Sequence, residues 1–518
     1  MAAGGALRLG FLQSDGDDLL WQEGRPDGST ALVRWRDGVA SDLAPSVRSR
    51  VYEYGGRAFA TRAGVLVTEE DGPTGDHFIG ADGTVWVHEG TNPPEVGICA
   101  STGGFVVSGR DFYAAPRLSD DGRLAYLCWD APDMPWDAAE LWVDGEHVAG
   151  GDGVSAMQPG WLADGTLQWI DDRSGWWNLQ GHPMEAEVGY PQWQLGFQNW
   201  CQLHDGALAF TARTNGIDRL VVDGNPIELP FSEMQFLAPF GDGLAMVAGG
   251  PRHHTSVVAI GRDGAFEVLH ASSDVVLDHV TVPRHVSFGA AHALVFEPPG
   301  AHTLLVRVHG GPTAQASGAL DLEVQFFTSR GYAVADVDYR GSTGYGRAFR
   351  DALRGRWGIA DVEDCVACVE HLGYDRAVIR GSSAGGYTVL RALTTTTAFA
   401  AGSSRYGIGD LVALDEHTHR FEAHYNDWLI GPDRAGRSPI HHLDGFSAPV
   451  ILFQGADDRV VPPAQAEAMA AALAAKGLDH ELHVYAGEGH GFRRAATRQA
   501  VLEAEAAFLG RAVGSPAP

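Results

Sequence analysis

The stretch "GSSAGGY", residues 381–387, crowds three glycines, two serines and an alanine into seven positions. It follows "DRAVIR" (375–380), a short apolar run with β-branched residues, which reads as a buried strand. It precedes "GYTVLRALTT" (386–395), where apolar residues recur at helical spacing. A strand is thus joined to a helix through Gly381-x-Ser383-x-Gly385, the arrangement that raises a serine nucleophile above the sheet of an α/β-hydrolase. The serine sits at a strained backbone position, and a Cβ two residues to either side would collide, which accounts for the glycines. The N-terminus of the following helix presents its positive end to an oxyanion formed there. A plain glycine-rich turn is the competing reading, and the rest of the chain decides between them.

Serine chemistry needs two partners. A histidine takes the hydroxyl proton, and a carboxylate fixes the histidine tautomer. In α/β-hydrolases the chain order is serine, acid, histidine. "VILFQGADDRVVPP" is a strand running into a loop with Asp457 and Asp458 just past its C-terminal end, where open parallel sheets collect their catalytic groups. "LHVYAGEGHGF" is a strand followed by a glycine-rich loop that carries His490. Two N–H donors are expected for the oxyanion. One belongs to Ala384; the other is expected from "HGGP" (309–312), at Gly310, with His309 holding that loop in shape.

The remainder of the chain fits such a domain plus another. Its 518 residues exceed one ordinary core. In the first half, Asp-Gly followed by a short apolar strand recurs at 82, 121, 164, 205 and 242, at intervals of 39, 43, 41 and 37 residues. A period near forty with tight turns predicts a β-propeller of six or seven blades, with Trp86, Trp129, Trp142, Trp169 and Trp193 packing between blades. Between 265 and 285 the pattern changes to strands alternating with helices, such as 463–477 and 496–513, which predicts a doubly wound, mostly parallel sheet. The expected division is a propeller over 1–268 and an α/β-hydrolase domain over 269–518.

Composition excludes several functions. The net charge of −29 argues against nucleic acid or an anionic membrane as partner. No apolar run approaches the ~20 residues of a membrane span, and "MAAGGALRLGFLQSDGDD" has neither the basic start nor the apolar core of a secretory signal. Five scattered cysteines suggest a reducing compartment, hence the cytoplasm. Cys365 and Cys368 form C-x-x-C at helical spacing, without further ligands for zinc, and read as buried helix residues. The doublets His253-His254 and His441-His442 lack metal-ligand spacing, so neither a metal nor another cofactor is expected.

Several longer motifs make the chain specific. "HGGP", "DYRGSTGYG" (338–346), "GSSAGGYT", "THRFEAHYNDWLIG", "SPIHHLD", "DDRVVPP" and "GHGF" lie in the second half; "VYEYGG" (51–56), "PRLSDDGRLAYLCWDAPDMPWDAAELWV" (116–143) and "SGWWNL" (174–179) lie in the first. With these, the chain resembles the prolyl oligopeptidase family of serine peptidases, in its acylaminoacyl-peptidase and dipeptidyl-aminopeptidase branch. The resemblance implies a triad of Ser383, Asp457 and His490, choosing Asp457 over Asp458. It implies a propeller that caps the active site and admits only small or unstructured peptides. It matches Arg459 to a position that holds a substrate carbonyl in some members; an ion pair with Asp458 is the alternative. The insertion that carries the amine-binding glutamates of dipeptidyl peptidases is not evident.

The activity expected is hydrolysis of short peptides through an acyl-enzyme on Ser383, in the manner of an aminopeptidase. An acylaminoacyl-peptidase, or an esterase or amidase acting on an aminoacyl-linked metabolite, is the alternative; an inactive scaffold is disfavoured because every catalytic position is filled. Glu53, Asp133 and Asp137 are candidates to meet a substrate ammonium, against the plainer reading that they cap turns or pair with Arg50 and Arg57. The oligomeric state stays open.

Overall fold

The computed structural model of the protein describes residues 5–81, 83–90, 95–416 and 418–514. Among them, six antiparallel sheets follow one another along the first half of the chain. They run from Arg8–Asp15 to Val39–Ala44, from Thr74–Ile79 to Phe105–Ser108, from Phe112–Leu118 to Glu146–Gly150, from Ala156–Trp161 to Asn178–Leu179, from Trp200–Gln202 to Asn225–Ile227, and from Glu233–Phe240 to Phe266–Ala271. These are the blades of a six-bladed propeller. Each is built from consecutive strands, so the ring closes by packing, with no strand shared between the first and last blades. Phe11 meets Phe236 across that seam at 5.0 Å, and the Leu7 N–H donates to Ser272 O at 2.8 Å.

The repeat is irregular for a local reason. The strands that open five of the blades each break register at a bulge, where Phe11, Asp76, Ala115, Gln158 and Phe236 take φ of 55°, 50°, 48°, 49° and 57°. A left-handed residue other than glycine costs roughly 1–2 kcal/mol, and buried contacts offset it. Asp76, for example, accepts from the Ala115 N–H at 2.8 Å and from Arg57 at 2.8 Å.

The Asp-Gly turns also differ from expectation. At 121, 164 and 205 only the glycine is left-handed; Asp164 and Asp205 instead accept the N–H two residues on, from Thr166 and Ala207. At 242 the turn is one residue earlier, and Gly243 already lies in its strand. Turns with both central residues left-handed occur at Asp37-Gly38, Asp144-Gly145 and Asp223-Gly224. Asp82 lies outside the described residues, as do Met1 to Gly4.

The division at 268/269 falls inside the last propeller strand, Phe266–Ala271; the connection is residues 272–282. Pairing continues to Ala271 because His270 and Ala271 still meet Val257 and Ser256. Beyond it, eight strands form one sheet in the order Pro283–Phe288, Ala291–Phe296, Tyr332–Asp338, Thr303–Val308, Ala377–Ser382, Gly402–Arg405, Val450–Gly455, His480–Tyr485. The first three strands pair antiparallel and the rest parallel.

Apolar side chains alternate across this sheet and build two cores. Leu304, Val306 and Ile379 face Ala360–Leu372, Ala384–Thr395 and Pro463–Ala475, whereas Leu305, Val378 and Phe453 face Leu322–Thr328 and Ala495–Val513. Cys365 and Cys368 are fully buried in the first core, and all five cysteines are unpaired. Among the described residues, no helix is long and apolar enough to cross a membrane.

Candidate active site

The strand Ala377–Ser382 and the helix Ala384–Thr395 are separated by Ser383 alone, at φ 54° and ψ −121°. That conformation is rare for a residue with a side chain and costs of order 1–3 kcal/mol. The flanking glycines make it sterically feasible: a Cβ on Gly381 would stand 2.2 Å from Gly385 O, and one on Gly385 would stand 2.2 Å from Val308 O. The Ser383 N–H donates to Arg405 O at 2.9 Å, locking the turn to the neighbouring strand.

His490 reaches over this turn. Its Nε2 lies 2.9 Å from Ser383 Oγ and its Nδ1 2.8 Å from Asp458 Oδ2. With Nδ1–H donated to the carboxylate, the Nε2 lone pair faces the hydroxyl, the tautomer a general base requires. Tyr406 braces the imidazole edge-on at 4.8 Å.

The acid that meets His490 is Asp458, not Asp457. Asp458 is 4% exposed, and its Oδ1 accepts the N–H groups of Val460 and Val461, both at 2.9 Å. Asp457 is exposed and lines a cleft together with Arg459. Arg459 makes no ion pair with Asp458.

The HGGP loop lies against the nucleophile. A Cβ on Gly310 would be 3.4 Å from Ser383 Cβ. Gly311 lines the cavity at Ser383 and Ala384, and Gly310 lines a second cleft with Ser382 and Tyr406. His309 has the structural place expected of it: it stacks on Tyr339 at 4.4 Å, its Nε2 lies 2.7 Å from Ser342 Oγ, and burial pushes its pKa down to about 4.

The cavity beside Ser383 is narrow and aromatic, walled by Trp357, Tyr425 and Val461 of the hydrolase domain and by Tyr54 of the propeller. One carboxylate stands on its wall, Glu422. Glu422 Oε2 accepts from Tyr54 Oη at 3.0 Å and lies 2.9 Å from His419 Nε2. Both contacts use Oε2, so Oε1 has no partner among the described residues. Burial lowers the His419 pKa, but the bond to Glu422, with Glu53 and Glu89 nearby, more than offsets this and leaves it raised.

Glu53, Asp133 and Asp137 do not line this cavity. Asp137 accepts the Met134 N–H at 3.0 Å and caps its short helix; burial raises its pKa to about 7. Asp133 is half-buried nearby, its N–H donated to Asp130 O. Glu53 is exposed and lines the cleft with Arg459, while Arg57 pairs with Asp76 instead. Glu422 and Tyr54 both fall within motifs read from the sequence, "THRFEAHYNDWLIG" and "VYEYGG". An acid in an aromatic-rich stretch was the signal that could have singled out Glu422.

The domains are bolted together at this point. Phe421, next to Glu422, stacks on Tyr52 of the propeller at 5.4 Å and meets Phe112 and Trp129 edge-on. Trp193 contacts Tyr425 at 5.9 Å and donates to Thr313 O at 2.7 Å. Trp129 and Trp193 thus serve the domain junction rather than only the packing between blades.

The sequence pattern described as "Prolyl oligopeptidase family" matches residues 319–516. A solved "mycobacterium tuberculosis puromycin-hydrolyzing peptidase" is 35% identical, with a TM-score of 0.93 over 100% of this chain and 96% of that one. The chain belongs to the prolyl oligopeptidase family. A solved puromycin hydrolase is 30% identical, with a TM-score of 0.90 over 98% of this chain and 95% of that one. The dipeptidyl aminopeptidase BIII of Pseudoxanthomonas mexicana is 31% identical over 48% of this chain. An acylamino-acid-releasing enzyme of Arabidopsis thaliana is 27% identical over 38% of this chain. The matched stretches span only 38% and 28% of these two curated relatives.

Proposed function

We propose that the protein is a serine exopeptidase that hydrolyses amide bonds of short peptides and aminoacyl amides bearing a free α-amino group. Ser383 Oγ attacks the carbonyl while His490 Nε2 takes its proton, and Asp458 stabilises the resulting imidazolium. The oxyanion is held by the N–H groups of Ala384 and Gly311. His490 then protonates the departing amine, and water repeats the sequence on the acyl-enzyme. The five unpaired cysteines fit a reducing compartment, and we place the enzyme in the cytoplasm.

The observation that carries the free-amine reading is Glu422, a carboxylate on the wall of the cavity at Ser383, with Oε1 uncommitted. An ammonium entering a partly dry, aromatic cavity requires such a partner. The relatives named for puromycin hydrolysis fit this substrate class, since puromycin is itself an aminoacyl amide.

The test compares an alanyl arylamide with its N-acetyl counterpart. The free amine should be preferred at least ~10-fold in kcat/KM, about 1.4 kcal/mol, and Glu422→Gln should abolish that preference. A better acetylated substrate would instead make the enzyme acylaminoacyl-peptidase-like.

A further inference from the structure

On the other side of the triad the surface changes sign. In a chain of net charge −29, six arginines gather around His490: Arg8, Arg48 and Arg50 from the propeller, and Arg459, Arg493 and Arg494 from the hydrolase domain. They line two adjoining clefts of about 400 and 680 Å³ that share Arg48, Tyr54, Gln194, His490 and Arg493. The smaller cleft has no carboxylate among its lining residues. The larger has four, Asp27, Glu53, Asp457 and Glu488, against five arginines; Glu488 is buried and its oxygens accept the backbone N–H groups of Arg493 and Arg494. The Arg8 pKa is lowered by loss of water and by Arg498 and Arg48, with Glu488 opposing. The Ala495 N–H donates to Pro26 O at 2.7 Å, so propeller and hydrolase meet beside the larger cleft.

The position of the clefts relative to the reaction gives the charge a meaning. The aromatic cavity is lined by Ser383 but not His490, and the basic clefts are lined by His490 but not Ser383. In acyl transfer the histidine hands its proton to the leaving atom, so the leaving group lies on the histidine side. The acyl half therefore sits in the aromatic cavity and the leaving half in the basic clefts.

We propose that the basic clefts bind the C-terminal carboxylate of the leaving peptide and so select short peptides with a free C-terminus. This rests on the serine exopeptidase reading. The chemistry recognised is an anionic leaving group, and a phosphate could supply the same charge.

The test uses the intact enzyme and four substrates: alanyl-glycyl-glycine, its C-terminal amide, the alanine amide of 2-aminoethyl phosphate, and a neutral alanyl arylamide. The tripeptide acid should exceed its amide at least ~10-fold in kcat/KM at low salt, and the gap should narrow as salt screens the exposed charges. The double variant Arg8→Gln/Arg48→Gln should lose more on the acid than on the amide, closing the gap to within ~3-fold. Equal turnover of acid and amide, with the arylamide still cleaved, overturns the carboxylate site and leaves the peptidase reading intact. A phosphate-bearing substrate that outperforms the acid tenfold also overturns it, in favour of phosphorylated leaving groups. Failure to cleave any of the four removes the peptidase reading and this inference with it.

Discussion

His490 Nδ1 and Asp458 Oδ2 stand 2.8 Å apart, while Asp457, one residue earlier, looks out into a basic cleft. The two aspartates share a loop and a charge but not an environment. Asp458→Asn should lower kcat by about 10⁴-fold through the wrong histidine tautomer, whereas Asp457→Asn should change it by less than ~10-fold. Steady-state kinetics on an alanyl arylamide rank the two, and the reverse ranking sinks the assignment.

Ser383→Ala should lower kcat by at least ~10⁴-fold and abolish fluorophosphonate labelling. Ser382→Ala should keep the label. Gly381→Ala forces a Cβ to 2.2 Å from Gly385 O, and overpacking of this kind costs about 1–3 kcal/mol or more. A lowered Tm together with lost labelling is expected; an unchanged Tm would mean the elbow tolerates a side chain.

These outcomes bear on what the residues alone disclosed. The elbow was readable because its glycines answer to a local steric demand, and the histidine loop because it follows the last strand. The choice between Asp457 and Asp458 was not, since it depends on which way a turn residue points. Glu422 was hidden for a different reason: its value comes from Tyr54, a residue of the other domain that hydrogen-bonds to it. The six blades were blurred because bulges at Phe11, Asp76, Ala115, Gln158 and Phe236 break the strand alternation that marks a repeat.

Tyr54→Phe removes the hydroxyl that holds Glu422 Oε2 at 3.0 Å. A hydrogen bond to a charged group contributes about 1.5–3 kcal/mol. KM for a free-amine arylamide should rise several-fold with kcat nearly unchanged, because Glu422 loses one of the two contacts that aim it. A fall in kcat at constant KM would show that Tyr54 serves the chemical step instead.

Stability should fall as pH rises from about 4 through about 7. Burial raises the Asp338 pKa from 3.8 to about 7, although it accepts from the Ala316 N–H and from Tyr345 Oη. Because the folded state binds this proton more tightly, the contribution is full below about pH 4 and is lost as pH rises through about 7. Glu187 and Asp137, both raised to about 7 by burial, act in the same direction. Unfolding free energies from urea titrations at pH 5 and pH 8 should differ less in Asp338→Asn than in the wild type, by on the order of 1–3 kcal/mol. An identical difference in both proteins would mean Asp338 is ionised throughout.

Access to Ser383 should be limited by size, since the propeller stands over the catalytic edge. Peptides of a few residues should be cleaved and a folded globular protein should not. Comparable kcat/KM for the two would show that the domains part widely enough to admit a folded chain.

Tyr54 faces the aromatic cavity and both basic clefts while belonging to neither strand nor helix of the domain that does the chemistry. Under the proposed function, selectivity is heritable through the non-catalytic half of the gene. A recombination that exchanged one propeller for another would leave the nucleophile untouched and yet hand the enzyme a new diet.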